Sequence, residues 1–223
     1  ILAQFFSGPL SPFYKRIYKK EYEANPDFIG YNAVNSLKNA DITALIIHSD
    51  DDKTLNCKKH FEKIKNAGIV GMGGATFPCH VKLSPPPGTK AQCVIINAVE
   101  CEPYLTADHR LMLEHPSEIL VGTQLIMKAV GVTKGYIGIE NNKPDAISLM
   151  REKALAFSGI EIVPLQVKYP QGGEKTLVKA ALNREIPAGK LPADCGCVID
   201  NVGTLVAISD AFRLGKPLID RSF

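Results

Sequence analysis

Short apolar runs and stretches of three- to four-residue periodicity alternate along most of this chain. Cys93-Val94-Ile95-Ile96 is a continuous apolar run and predicts a strand over 92–97. Helices are predicted over 106–115 and 116–130, the second with Pro116 in its first turn and Gly131 just past its end. A strand follows over 134–140, a helix over 144–157, and a weaker strand over 161–167, which Pro164 demotes to an edge. Helices over 174–182 and 202–214 complete this part. Upstream, the pattern predicts a basic, aromatic helix over 12–23 and a buried strand over 42–48. A polar turn over 49–52, a helix over 55–66 and a glycine-rich loop over 68–78 follow. The βαβα rhythm predicts an α/β fold: a Rossmann-like, twisted parallel sheet with helices on both faces.

Composition adds a boundary. The first 66 residues hold nine of the sixteen aromatic residues but only Gly8 and Gly30 of the eighteen glycines. Two regions are therefore expected, 1–59 and 60–220. A formal net charge of +3 and 22% charged residues exclude a polyanion-wrapping basic protein, and no nucleic-acid partner is expected. No apolar run approaches the roughly 18 residues of a membrane-spanning helix. The chain opens Ile1-Leu2-Ala3-Gln4, with no Met and no basic leader, so it is expected to lack a signal peptide and to be a fragment. Six cysteines occur, none in a Cys-x-x-Cys pair, and zinc-ribbon and ferredoxin spacings are absent. Reduced thiols in a cytosolic setting are expected, with no metal site.

Four segments carry candidate chemistry. Gly68–Pro78 contains Gly71, Gly73 and Gly74, then Phe77. Glycines permit positive φ and close approach to a ligand, and consecutive exposed N–H groups form an anion nest. No Gly-Lys-Ser/Thr follows, and Thr76 stands where a dinucleotide fingerprint places its third glycine, so neither phosphate motif is met. Asn97-Ala98-Val99-Glu100-Cys101-Glu102 follows a strand directly. Its amide and acids suit ribose hydroxyls or a heterocycle, or it is a solvated turn with Glu102 or Thr106 as a helix cap. Gly172-Gly173-Glu174-Lys175 opens a helix whose N-terminus attracts anions, or is an ordinary helix start. In Asp200-Asn201-Val202-Gly203-Thr204, Asn201 and Thr204 cap a helix or bond a phosphate.

Taken in order, these segments resemble the flavin domain found in Rnf-type electron-transport complexes, in the component designated C, itself similar to the flavoprotein component of respiratory complex I. The resemblance covers roughly residues 60–220 and is most specific over 67–86 and 97–114. It implies an FMN- and NADH-binding domain. The matching cofactor positions are Gly71, Gly73, Gly74, Phe77, Lys82, Asn97, Glu100, Glu102, Gly173, Glu174, Asn201 and Thr204. Lys82 and the helix N-termini are then expected to neutralise the FMN phosphate, Asn97 to bond the flavin, and Phe77 to offer an apolar face. Glu100 and Glu102 are expected to bond ribose hydroxyls and repel a 2′-phosphate, favouring NADH over NADPH. The resemblance further implies electron transfer from NADH through flavin toward 4Fe-4S carriers, in a membrane complex with partner subunits. The domain would sit peripherally at the inner, cytoplasmic face. The family's iron–sulfur cysteine runs do not occur here, so this chain is expected not to ligate the clusters. Thr76 replaces the commoner glycine and is expected to strain the loop if that position needs positive φ.

Residues 1 to about 60 resemble the C-terminal part of an α/β-hydrolase, through the segment from Ala44 to Leu55. Asp52 matches the position of the triad acid. No Gly-x-Ser-x-Gly elbow occurs, so acyl transfer lacks a nucleophile. The two pieces are expected to join over 58–66, as a fusion or a chimaera of truncated genes. A hydrolase-like enzyme and a non-catalytic nucleotide-binding or assembly module are the alternative functional readings.

Overall fold

Cys93–Ala98 forms strand β1, buried along nearly its whole length, as expected of a continuous apolar run in the middle of a covered sheet. The structure is a computed structural model and describes residues 57–84, 86 and 88–219. The expectations of a helix over 12–23, a strand over 42–48 and an acid turn at Asp52 lie outside the described residues. What is described belongs to one unit, Leu55–Phe223.

Helix α1 is Cys57–Asn66, α2 is Cys79–Lys82, and β1 follows. Helices α3 (Ala107–Glu114) and α4 (Pro116–Val130) lead to β2 (Gly135–Glu140). Then come α5 (Pro144–Ala154), β3 (Ile160–Leu165) and α6 (Glu174–Leu182). A 3-10 turn (Pro192–Cys195), β4 (Cys197–Asn201) and α7 (Val202–Arg213) complete the unit. All strand pairs are parallel, in the order β3-β2-β1-β4. The expected α/β fold is therefore present, and the strand containing Pro164 lies at an edge, where its missing N–H costs no ladder bond.

Strand alternation assigns the two faces. A Cβ on Gly135 would meet Met127 of α4, so Gly135, Ile137 and Ile139 face α4. A Cβ on Gly138 would meet Leu177 of α6, and α6 covers Ile95, Leu165 and Ile199. Helices thus cover both faces. Helix α4 begins at Pro116 and stops at Gly131, whose φ of 77° is left-handed and whose N–H returns to the Met127 carbonyl at 2.9 Å. Helices α4 and α7 cross where a Cβ on Gly122 would stand 2.4 Å from the Leu205 carbonyl oxygen, so only glycine allows that approach. Arg213 pairs with Glu118 across the same two helices at 2.9 Å. Helix α1 joins them through His60, which stacks on Phe212 with centroids 5.6 Å apart.

Candidate functional site

The chain runs outward from β1 to β2 and β3, then returns to place β4 on the other flank of β1. In open parallel sheets, ligands bind outside the carboxyl ends of the strands at such a reversal. Asn97 and Asn201 are register partners at the ends of β1 and β4.

Three segments close on this pair. Asn97 Nδ2 donates to the Gly172 carbonyl at 2.9 Å, and Gly172 N donates to Cys101 Sγ at 3.3 Å. Asn201 Nδ2 donates to the Asp108 carboxylate at 2.7 Å, while its Oδ1 accepts from Gly203 N at 2.8 Å and so caps α7. The loop between Val70 and Pro78 is pinched at its base by a β-bridge and by Gly71 N donating to the Phe77 carbonyl at 2.8 Å. Its crown presses on Asn201: a Cβ on Gly73 would lie 2.8 Å from Asn201 Cγ. Met72 N donates to Thr204 Oγ1 at 3.0 Å, which fastens the loop to α7.

Several expectations change in detail. Gly71, Gly73 and Gly74 do not use positive φ; Gly73 is required by close approach, and a Cβ on Gly74 would meet open space. The loop's left-handed residue is Thr76, at φ 55°. Helix α3 is capped by neither Glu102 nor Thr106. Glu100, itself at φ 50°, turns its carboxylate onto Asp108 N at 2.7 Å and His109 N at 3.1 Å. The negative charge satisfies donors that the helix start leaves open. Thr204 is buried, with its hydroxyl committed to the loop. Glu102 and Phe77 are exposed.

Lys82 Nζ lies 3.4 Å from the Ile199 carbonyl and 3.9 Å from Glu174 at the start of α6. Gly173 precedes that helix and no side chain caps it. A cation and an open helix N-terminus thus stand together, a pairing that suits a phosphate. Lys82, Asn97, Gly173, Glu174 and Asn201 accordingly stand about the carboxyl ends of β1 and β4, and Phe77 sits at the base of the loop with its side chain exposed. Glu100 and Glu102 line an adjoining cleft of 420 Å³ with His109, Glu140, Lys143 and Tyr169.

Polar residues outside the sequence-based set also stand here. Asp108 is largely buried, and burial, helped by the nearby Glu100 carboxylate, raises its pKa to about 6, against the hydrogen bond from Asn201 and the charge of Lys143. Lys143, itself buried, donates to the Val99 carbonyl at 2.8 Å and lies 3.7 Å from the buried Glu140 carboxylate. Glu140 accepts from Lys168 N at 3.2 Å. Gln171 is 1% exposed and its Oε1 finds no donor among the described residues. Asp108 falls inside the motif that carries the resemblance and Gln171 directly precedes the Gly172-Gly173 pair, so both are open to notice in the sequence; Lys143 lies in a segment without a signal. Below the junction, burial pushes the Asp200 carboxyl above its ordinary range, and Cys79 Sγ donates to it at 3.1 Å.

Fold and site together define a parallel α/β domain, covered on both faces, with a polar junction at its switch point and a polar cleft beside it, beyond the carboxyl ends of β1, β2 and β3. The chain belongs to the family of the Nuo51 FMN-binding domain, whose model matches residues 64–210. It is similar to a component, designated C, of the proton-translocating ferredoxin:NAD(+) oxidoreductase complex of Clostridium ljungdahlii, at 54% identity over 169 residues, covering 76% of this chain and 37% of that protein. The component of the same designation in the Na(+)-translocating ferredoxin:NAD(+) oxidoreductase complex of Acetobacterium woodii is 52% identical over 158 residues, covering 71% of this chain and 36% of that protein. Its counterpart in the ion-translocating oxidoreductase complex of Pseudomonas aeruginosa is 43% identical, covering 72% of this chain and 20% of that protein. The chain therefore spans between a fifth and two fifths of the length of these relatives. Among solved structures, a chain of an NAD+-reducing [NiFe]-hydrogenase in the H2-reduced state shares the fold. Its TM-score is 0.61 at 24% identity, covering 72% of this chain and 31% of that one. Among the described residues no helix is long and apolar enough to cross a membrane, and no group of three or more His, Cys, Asp or Glu side chains is placed to hold a metal ion.

Proposed function

We propose that residues 60–220 form an FMN- and NADH-binding electron-transfer domain of an Rnf-type ion-translocating complex, with residues 1–59 a separate hydrolase-like piece. The reading is carried by the junction of Asn97, Asn201, Gly73 and Gly172 at the ends of β1 and β4. The donor set suits FMN. Lys82 and the uncapped start of α6 offer positive potential to a phosphate, the amides of Asn97 and Asn201 offer polar contacts to a ring or ribityl chain, and Phe77 offers an apolar face. Gln171 Oε1, without a donor among the described residues and next to Gly172 in the chain, adds an acceptor still to be satisfied. FMN, when bound, accepts a two-electron hydride from NADH and passes electrons on singly. This chain's own residues bind and orient: the Asn201–Asp108 bond fixes one amide, and the Asn97–Gly172 bond fixes the other. The 4Fe-4S carriers belong to the full-length family protein and are not ligated by the residues of this chain, and membrane subunits would complete the system at the cytoplasmic face; the relatives' names as parts of ion-translocating complexes support membership of such an assembly.

The test is spectroscopic. Purified chain is titrated with FMN while flavin fluorescence and visible absorbance are followed, then mixed anaerobically with NADH. Saturable binding followed by bleaching of the flavin band is the expected result. Binding without bleaching would leave a non-catalytic nucleotide-binding module, and no binding would remove the flavin reading.

A further inference from the structure

Strands β1 and β4 each begin with a cysteine, at the end of the sheet remote from the cleft. Cys93 and Cys197 are register partners, and their sulfurs are 3.8 Å apart. Neighbouring strands lie about 4.8 Å apart, inside the roughly 4.4–6.8 Å range of Cα separations that disulfides accept. Closing the sulfurs to about 2.05 Å asks for side-chain rotation rather than movement of a strand. The pair lies under α6 beside Ile95 and Ile199.

Two further features distinguish this pair from ordinary core thiols. Arg184 Nη1 donates to the Cys195 carbonyl at 3.0 Å and lies 4.0 Å from Cys197 Sγ, a fixed positive charge that favours a thiolate. An open cleft lined by Lys90, Gln92, Arg184, Cys195 and Gly196 reaches this end of the strands, and the Gly196 carbonyl is 4.0 Å from Cys93 Sγ. The hydrogen bond from the Cys197 thiol lowers the Cys93 pKa against the effect of burial, and the same contact together with burial raises that of Cys197 against the charge of Arg184, so Cys93 is the thiol that ionises first. Cys79 is the contrast: burial and the Asp200 carboxylate push its pKa up and hold it as a thiol.

We propose that Cys93 and Cys197 form a peroxide-reactive dithiol that oxidises to an intramolecular disulfide. Exposures of 3% and 1% close the site to a bulky disulfide reagent but admit a neutral, water-sized oxidant, hydrogen peroxide. The Cys93 thiolate attacks one peroxide oxygen, the O–O bond breaks, and the departing hydroxide takes a proton to become water. Cys93 is left as a sulfenic acid. The Cys197 sulfur then attacks the Cys93 sulfur as its thiol proton passes to the departing hydroxide, forming the S–S bond and releasing a second water. Two thiols lose two electrons and two protons, and one peroxide yields two waters.

The full chain, reduced and then exposed to a small excess of hydrogen peroxide, is quenched with catalase, alkylated in denaturant and digested without reduction. The expected outcome is a linked Cys93–Cys197 peptide, two of the six thiols lost to alkylation, and both restored by dithiothreitol. The link persists in Cys195→Ala. In Cys197→Ala, checked for folding by circular dichroism, Cys93 proceeds to the sulfinic acid. Full alkylation of Cys93 and Cys197 after peroxide, or a link that joins either to Cys195 instead, overturns the proposal. The wild-type peptide map decides the question even if Cys197→Ala does not fold.

Discussion

Asn201 Nδ2 donates to the Asp108 carboxylate at 2.7 Å, so the residue that ends β4 and caps α7 is held from the start of α3. The same amide lies 3.4 Å from the Asn97 carbonyl. One side chain thereby ties two strand ends and two helix starts together, and Gly73 rests directly on it.

Gly73→Ala tests that packing. The added methyl would stand 2.8 Å from Asn201 Cγ and Nδ2, and Asn201 can yield only by lengthening its bonds to Asp108 and Gly203. Destabilisation of about 1–3 kcal/mol is expected in urea melts, with weakened FMN binding in the titration. Gly74→Ala is the control: its Cβ meets nothing within 4 Å and its φ is not left-handed, so it is expected to melt like the wild type.

Asp108 makes stability depend on pH in a definite direction. Its folded pKa of about 6 lies above the ordinary value of 3.8, because burial disfavours the charge. Between those values the folded chain binds more protons than the unfolded one, so this group's contribution falls as pH rises through that window. The whole effect is at most about 3 kcal/mol, from roughly 1.4 kcal/mol per pKa unit. Asp108→Asn removes the titration while keeping an oxygen for Asn201. Asp200 is shifted in the same direction, so the quantity to measure is the difference between variant and wild type from pH 4 to pH 7. A variant whose stability tracks the wild type in parallel across that range would contradict this account.

Legibility in the sequence depends on where each signal sits. Helix α4 can be bounded because Pro116 and Gly131 bracket it, and β3 is recognisable as an edge strand through Pro164. Helix α5 is shorter than its pattern predicts: it ends at Ala154, and the apolar Leu155 and Phe157 belong to the turns after it. Helix α2 has only four residues, too few for any period to register. The convergence of Gly73, Asn97, Gly173 and Asn201 is expected from their order at strand ends. The diversion of Glu100 to cap α3 is not, because it depends on a left-handed φ at a non-glycine residue and on N–H groups eight and nine positions away.

The buried Glu140–Lys143 pair predicts a large and asymmetric effect. Lys143→Met leaves the Glu140 carboxylate, 1% exposed, with the Lys168 N–H but without a cation. Destabilisation of about 3–5 kcal/mol is expected from the uncompensated buried charge. Adding Glu140→Leu should recover much of the loss, since an apolar pair of similar size removes the charge altogether. A double-mutant cycle by urea unfolding measures the coupling; simple additivity of the two single losses would show that the pair does not act as one unit.

Glu100 and Glu102 should separate in function, although they stand two residues apart. Glu100 spends its carboxylate on the first turn of α3, so Glu100→Ala is expected to cost about 1 kcal/mol of stability, as the loss of a helix cap does. Its effect on the choice between NADH and NADPH should be small. Glu102 is exposed and lines the cleft, so its charge is free to repel a 2′-phosphate. Glu102→Gln is expected to raise NADPH use relative to NADH by roughly 3- to 10-fold in a ferricyanide-coupled assay at low salt. The gain should shrink as ionic strength rises, because an exposed charge is screened beyond about 10 Å at 0.1 M. If Glu100→Ala shifts the preference and Glu102→Gln does not, discrimination rests on the geometry of α3 rather than on a free carboxylate in the cleft.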